Sequence, residues 1–282
     1  MPLSHFNKLF MSVEEELRVA TPGSEFQILN KIPNDLFGLA MYRRNQMAAY
    51  PKLQSFLVQL PDEDTQARFA GGRGEKLLPR ALFFANYLEM IALRNFGRSD
   101  VKYLDYGCGW GRLTRFLLRL TPPENITAVD PKQDVKRYLG GNLLSQRFSV
   151  IPEIPISGDI PGRHEIAFLF SIMTHTPPNV NKSIIKALHA SLSDNGILMT
   201  TIRPKNFWGF TDKFWDGHTQ KTLEAQHDAQ GYAHMPFSTN PNYGDASYEH
   251  QYFVNQFEGF DLLEANYCVV DPFQIMYCFR KK

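Results

Sequence analysis

Residues 104–117 read LDYGCGWGRLTRFL. Gly107, Gly109 and Gly111 alternate with other residues, and Asp105 stands two positions before the first of them. An apolar run precedes the glycines and a helical pattern of apolar side chains follows. That arrangement predicts a glycine-rich turn between a strand and a helix. In a doubly wound sheet such a turn lies at the carboxyl edge, where ligands bind. Gly107 and Gly109 allow a tight turn and a close approach of backbone to ligand. The N–H groups that open the following helix favour a carboxylate or phosphate. Gly111 serves either this approach or the packing of helix against strand.

The flanking sequence extends the pattern. VKYLDY (101–106) reads as a strand and GRLTRFLLRL (111–120) as a helix. ITAVDP (126–131), RFSVI (147–151), EIAFLFS (165–171) and GILMTTIR (196–203) read as further strands. KQDVKRYLGGNLL (132–144) and PPNVNKSIIKALHASL (177–192) read as helices, the latter with proline at its start. IAFLFSIM (166–173) is the longest apolar run, too short to cross a bilayer and suited to a central strand buried on both faces. Strands alternating with helices imply a parallel, doubly wound sheet.

Residues 204–246 lose the rhythm and are rich in aromatics, His, Asn, Pro and Gly; a stretch of that length is usually functional. ASYEHQYFVNQFE (246–258) reads as a helix. FDLLEANYCVV (260–270) and FQIMYCFRKK (273–282) read as a closing antiparallel strand pair. Upstream, MSVEEELRVA and DLFGLAMYRRNQMAAYPKLQSFLVQL carry helical spacing broken at Pro51. RFAGGRGEK (68–76) is a glycine-rich loop before the helical LLPRALFFANYLEMIALRNF. The expectation is an α/β fold with a mostly parallel seven-stranded sheet whose last strand is antiparallel. Residues 1–75 form a helical appendage or lid. Residues 76–282 form the main domain, with the 204–246 insertion over the active site.

Dinucleotide loops space their glycines as G-x-G-x-x-G. Here the third glycine comes one residue early, Arg112 holds the dinucleotide position, and Asp105 puts a charge near the pyrophosphate. These departures weigh against NAD. The order D-Y-G-C-G-W-G, with Asp130 ending the next strand, resembles motif I and its follow-on acid in class I S-adenosylmethionine (SAM) methyltransferases. The resemblance runs from about Val101 to Arg203. It implies SAM as cofactor, with Asp105 facing the methionine amino end. It also implies that the backbone of Tyr106, Gly107, Cys108 and Gly109 passes along methionine and ribose. Asp130 would accept both ribose hydroxyls, as an acceptor-only carboxylate can. Gly111, Pro131 and Ser171 complete the expected cofactor set. Arg73 either pairs with the methionine carboxylate or is a solvated loop arginine. Many members hold the adenine amino group with an acid after the third strand; here Glu153 and Asp159 are both available without the usual spacing. Cys108 reads as a small buried side chain.

SIMTHTPP (171–178) is similar to the strand-end segment S-V-F-T-H-L-P of a methyltransferase subset. By that likeness His175 stands at the active-site mouth. It is either a general base for a substrate hydroxyl or a helix-entry residue bonded to backbone. Thr176 reads as a helix cap before Pro177. Asp245 is the second catalytic candidate, in an insertion that also carries Asp212, Asp216, His218, His227, His234 and Tyr248. The histidines lack the tight spacing of a local metal motif, and no metal is expected. Phe207, Trp208, Phe210, Phe214 and Trp215 either pack a lid or stack on a sugar or aromatic ring.

Thirty basic against 29 acidic residues give a net charge of +1. That argues against nucleic acid or an anionic membrane as partner. Cys108, Cys268 and Cys278 are odd in number and widely spaced, which suits a reducing cytoplasm. The N-terminal residues do not read as a secretory signal. The expected activity is SAM-dependent transfer of methyl to a hydroxyl of a small molecule or glycan. The tail, NYGDASYEHQYFVNQF followed by GFDLLE and DPFQIMYCFRK, is similar to the ends of bacterial methyltransferases found near glycan-biosynthesis genes. The alternatives are an NAD-dependent oxidoreductase and a SAM-binding scaffold without activity.

Overall fold

The apolar runs become the strands of one twisted sheet. In the computed structural model, which describes residues 3–211, 217–237 and 240–282, β1 is Tyr103–Tyr106, β2 Ile126–Asp130, β3 Phe148–Val150, β4 His164–Leu169 and β5 Leu192–Ile202. A hairpin follows, β6 Tyr232–Phe237 and β7 Asn240–Tyr248, and then β8 Phe260–Tyr267 and β9 Ile275–Lys281. Seven strands lie in the order β3-β2-β1-β4-β5-β9-β8, and β6 and β7 form a separate two-stranded sheet. β9 runs antiparallel to both β5 and β8; the other sheet strands share one direction. This is the expected fold class. Ile166, Ala167, Phe168 and Leu169 of β4 are buried, as a continuous apolar run requires of a central strand.

The chain divides into two compact units, Met1–Val150 and Ile151–Lys282. In the first, helices Asn7–Val19, Asn34–Tyr42, Pro51–Phe56 and Glu63–Ala70 precede the long helix Leu78–Phe96. Pro51 opens a helix, at the position where its missing N–H costs nothing. The buried Glu14 carboxylate accepts the Lys52 and Leu53 N–H groups of that helix, supplying the negative charge a helix start favours.

Four sequence expectations are corrected. The expected helix 111–120 is α-helical only over Thr114–Leu117. Its N–H groups switch between i−4 acceptors (Arg115 to Gly111) and i−3 acceptors (Phe116 to Leu113, Leu120 to Leu117), so turns flank a short helix. The expected helix 132–144 splits into a 3₁₀ turn, Gln133–Tyr138, and a helix, Gly141–Ser145. The break falls at Gly140 and Gly141, with φ of +67° and +62°.

The third correction concerns 204–246, which is not an irregular loop. It contains helices Phe207–Thr211 and Gly217–Gln230 and most of the β6–β7 hairpin, and has its own apolar cluster of Phe207, Trp208, Leu223 and Ala233. The helix expected over 246–258 narrows to His250–Val254, because Ala246, Ser247 and Tyr248 belong to β7. Among the described residues, no helix is long and apolar enough to cross a membrane.

Candidate functional site

The glycine turn folds back onto the end of β2. The N–H groups of Gly107 and Cys108 both donate to Val129 O, at 2.8 and 3.1 Å, and Gly111 N–H closes the turn on Cys108 O at 2.9 Å. All three glycines have positive φ. At Gly109 a Cβ would meet the Phe69 ring at 3.3 Å. At Gly111 it would press to 2.5 Å from the Leu139 side chain and 2.8 Å from the Arg115 guanidinium. Side chains therefore fill the space that a Cβ at Gly111 would need. Arg115 is fully buried, stacks on Trp110, and donates to the carbonyls of Gln59, Trp110 and Tyr138. It ties three segments around the turn. No sequence motif marks that role.

Two carboxylates flank the turn. Asp130 Oδ2 accepts Gly109 N–H at 3.1 Å, and Oδ1 accepts Lys132 N–H at 2.9 Å. Each oxygen keeps a lone pair for a further donor. Burial raises the Asp130 pKa, and the two backbone hydrogen bonds oppose it. Asp105 is 4% exposed, and Thr114 Oγ1 donates to its Oδ2 at 2.6 Å. Burial pushes Asp105 up to about 7; the Asp130 charge adds to this, while the Thr114 hydrogen bond and the Arg112 charge oppose it. A buried carboxylate in that state is matched by a cationic ligand group. Burial raises the Cys108 thiol well above its ordinary range, which makes it a poor nucleophile. Tyr106 is buried and Pro131 exposed. Arg73 pairs at 3.1 Å with Asp64, and both side chains are exposed.

The second unit carries a separate polar cluster. Ser171 follows β4 with φ of +61°, a costly conformation for a residue with a Cβ. It is held there by its N–H to Thr201 Oγ1 at 2.8 Å and by Gln274 Nε2 donating to its hydroxyl at 3.2 Å. His175 Nδ1 lies 2.6 Å from Gly244 O and 3.3 Å from Asp245 Oδ1, and its Nε2 is 3.2 Å from Arg203 Nη2. A carbonyl only accepts and a guanidinium only donates. The proton is therefore on Nδ1, and Nε2 presents its lone pair to Arg203.

Arg203 also donates to Asp245 and to Thr174 O, and lies 4.0 Å over the Phe207 ring. Burial raises Asp245, but the His175 hydrogen bond and the Arg203 charge outweigh it and leave the carboxyl below its usual range. Tyr243 stacks on the His175 ring at 5.1 Å, with Phe237 at 6.1 Å. The structure thus joins His175 and Asp245, which are far apart in sequence. Arg203, Tyr243 and Phe237 have no motif and become visible only once the hairpin is folded.

The remaining candidates disperse. Tyr248 is buried in a network with Asn181 and Thr176; Thr176 does not cap the helix, which begins after Pro177. His227 bonds Ser247 Oγ at 2.8 Å, and the same hydroxyl accepts from Trp208 Nε1 at 2.7 Å. His234 is pulled below the usual histidine range by burial, and His218 is exposed. Phe207 and Trp208 are buried packing, while Phe210 is exposed against Phe273. Asp159 closes a turn on Ile156 N–H, and Glu153 accepts from Asn240. Asp212, Phe214, Trp215 and Asp216 lie outside the described residues. Among the described residues no three metal-ligating side chains converge.

No protein-family model and no curated protein matches the sequence. Solved structures match the fold. A SAM-dependent methyltransferase from Clostridium acetobutylicum aligns with a TM-score of 0.51 at 15% identity, over 73% of this chain and 96% of that one. This is the fold of the class I SAM-dependent methyltransferases. Magnesium protoporphyrin IX methyltransferase from Synechocystis PCC 6803 aligns with a TM-score of 0.50 at 10% identity, over 78% of this chain and 90% of its own. The plantazolicin methyltransferase aligns along 98% of this chain and 99% of its own, with a TM-score of 0.50 at 8% identity. At such identities the likeness is one of methyltransferase fold alone.

Proposed function

We propose that this chain is a SAM-dependent methyltransferase that places the methyl group on a hydroxyl of a small molecule or glycan. The observation that carries the reading is the turn at 105–111, with buried Asp105 and Asp130 on either side and Gly109 N–H fixed to Asp130. Asp130 has lone pairs left for two ribose hydroxyls. Asp105, pushed up by burial, gains from an ammonium group beside it. Phe69, over Gly109, covers the turn with an apolar face. The Synechocystis enzyme was solved with SAM, and the plantazolicin enzyme with its demethylated product, S-adenosylhomocysteine (SAH), which supports the cofactor assignment. The three buried cysteines suit a cytoplasmic setting.

When bound, SAM supplies an electrophilic methyl on a sulfonium, and the chain's task is alignment, water exclusion and proton removal. We assign the proton to His175 Nε2, which already carries the lone pair. A substrate hydroxyl replaces the Arg203 N–H at that atom. Asp245 and the Gly244 carbonyl then hold the Nδ1–H side and stabilise the imidazolium. The exposed rings of Tyr243 and Phe237 beside His175 suit a sugar or aromatic acceptor. A SAM-binding scaffold without activity is the second reading, favoured by the Arg203 contact at His175 Nε2.

Methyl-labelled SAM offered with a panel of sugars, oligosaccharides, small phenols and amines tests the proposal. Label is expected on a hydroxyl acceptor. Label on amines alone would move the acceptor to nitrogen, and bound SAM with no label on any acceptor would favour the scaffold.

A further inference from the structure

The glycine turn and Asp130 stand at the carboxyl ends of β1 and β2. A second concave feature of the same unit lies at the amino ends of β2 and β3. It is a cavity of about 490 Å³ lined by Arg44, Leu57, Val58, Gly140, Gly141 and Arg147, among others. That volume falls within the range of small-molecule sites, about 300–1,000 Å³. Arg147 immediately precedes β3, and Pro123 and Glu124, also in the lining, precede β2. Pro123 and Glu124 thus stand at the opposite end of β2 from Asp130, while Gln59, also in the lining, accepts from Arg115.

Glu124 lines the same cavity but pairs with neither arginine. Among the described residues neither forms an ion pair. Arg147 Nε is buried with no hydrogen-bond partner, which is costly for a charged group. Its backbone is anchored, because the carbonyl accepts Ala128 N–H from β2 at 2.9 Å and its N–H donates to Leu144 O at 2.9 Å. Arg44 is oriented by Nε donating to Leu57 O at 2.7 Å, which leaves its terminal nitrogens directed elsewhere. Arg44 is further fixed by Gln54 Nε2 donating to its carbonyl at 2.9 Å. Leu57 and Val58 add an apolar wall. A Cβ at Gly140 would strike Val58 at 2.8 Å and Gln59 O at 3.0 Å, whereas one at Gly141 meets nothing within 4 Å. Gly140 thus lets the backbone pass close to Val58 and Gln59, while Gly141 leaves open space beside it.

We infer that this cavity is a binding site for a small organic phosphate, separate from the glycine turn: a phosphomonoester dianion held between Arg44 and Arg147, with its organic part against Leu57 and Val58. Two guanidinium forks match the double charge and three oxygens of a phosphate. A single carboxylate would satisfy one of them. The inference stands apart from the methyltransferase reading, since it uses none of the same residues and its readout is binding.

Calorimetric titration of the full chain with phenyl phosphate, benzoate and phenol tests it. Phenyl phosphate should bind saturably, with benzoate at least tenfold weaker and phenol silent. Arg147→Met should weaken phenyl phosphate about tenfold without changing the melting curve, because the guanidinium has no protein partner to lose. Gly141→Asp places a carboxylate in the cavity at a left-handed position that Asp tolerates, and should abolish binding. Asp130→Ala, at the other end of β2, should leave phenyl phosphate affinity unchanged. The inference is overturned if phenyl phosphate does not saturate, if benzoate binds equally well, or if affinity survives both Arg147→Met and Gly141→Asp.

Discussion

Replacing Asp105 with asparagine keeps the shape of the side chain and the acceptor for Thr114 Oγ1, and removes one ionisation from the core. Burial holds the folded Asp105 at about 7, against an ordinary 3.8. A folded pKa above the unfolded one means that the folded state binds the proton more tightly. The stabilisation is complete below about pH 4 and is lost as pH rises through about 7. A rise from 3.8 to about 7 corresponds to about 4 kcal/mol, of which about 2–3 kcal/mol is lost between pH 5 and pH 8. Urea unfolding of the wild-type protein and of Asp105→Asn at those two pH values isolates the effect, because the other titrating groups are common to both. The wild type should lose about 2–3 kcal/mol more than the variant on going from pH 5 to pH 8. Saturating SAM, whose ammonium we place beside this carboxylate, should shrink that difference. Equal losses in the two proteins, without ligand, would refute the assignment of a high folded pKa to Asp105.

Asp130→Ala removes the acceptor assigned to the ribose hydroxyls and should weaken SAM binding by roughly 1–3 kcal/mol in calorimetry; unchanged affinity would take Asp130 out of the pocket. His175→Ala should lower turnover far more than SAM affinity, and equal turnover would leave His175 as a packing residue beside Gly244. Gly111→Ala should destabilise the protein by about 1–3 kcal/mol in denaturant melts, since its Cβ must displace Leu139 and Arg115 from a position with φ of +77°. A neutral outcome would mean that Leu139 moves aside freely.

The parts of the fold that were legible in the sequence are those whose signal is local. The strands β1, β2 and β4 show as short apolar runs bounded by turn residues, and the unbroken run of β4 is what a strand buried on both faces needs. Asp105, the glycines and Asp130 are a few residues from strand ends that period alone can locate. What stayed hidden depends on contacts distant in sequence. The helix Gly217–Gln230 has few apolar side chains, and the β6–β7 hairpin is half-exposed along much of its length, so neither shows a clean period. Arg203 reads as the end of a strand until Asp245, 42 residues on, is brought to it and Gly244, 69 residues on, is brought to His175. Helical spacing over 111–120 was real, but buried Arg115 reaches three carbonyls outside the helix, and i−3 hydrogen bonds then shorten it to one turn.

The methyl-transfer chemistry depends on what the turn at 105–111 binds. Titration calorimetry of the purified chain with SAM, SAH and NAD, each alone, asks this directly. A SAM site at this turn requires SAM and SAH to bind at micromolar concentrations while NAD gives no heat. Binding of NAD with silence from both sulfur ligands would contradict it, and would leave the charge of Asp105 facing a pyrophosphate.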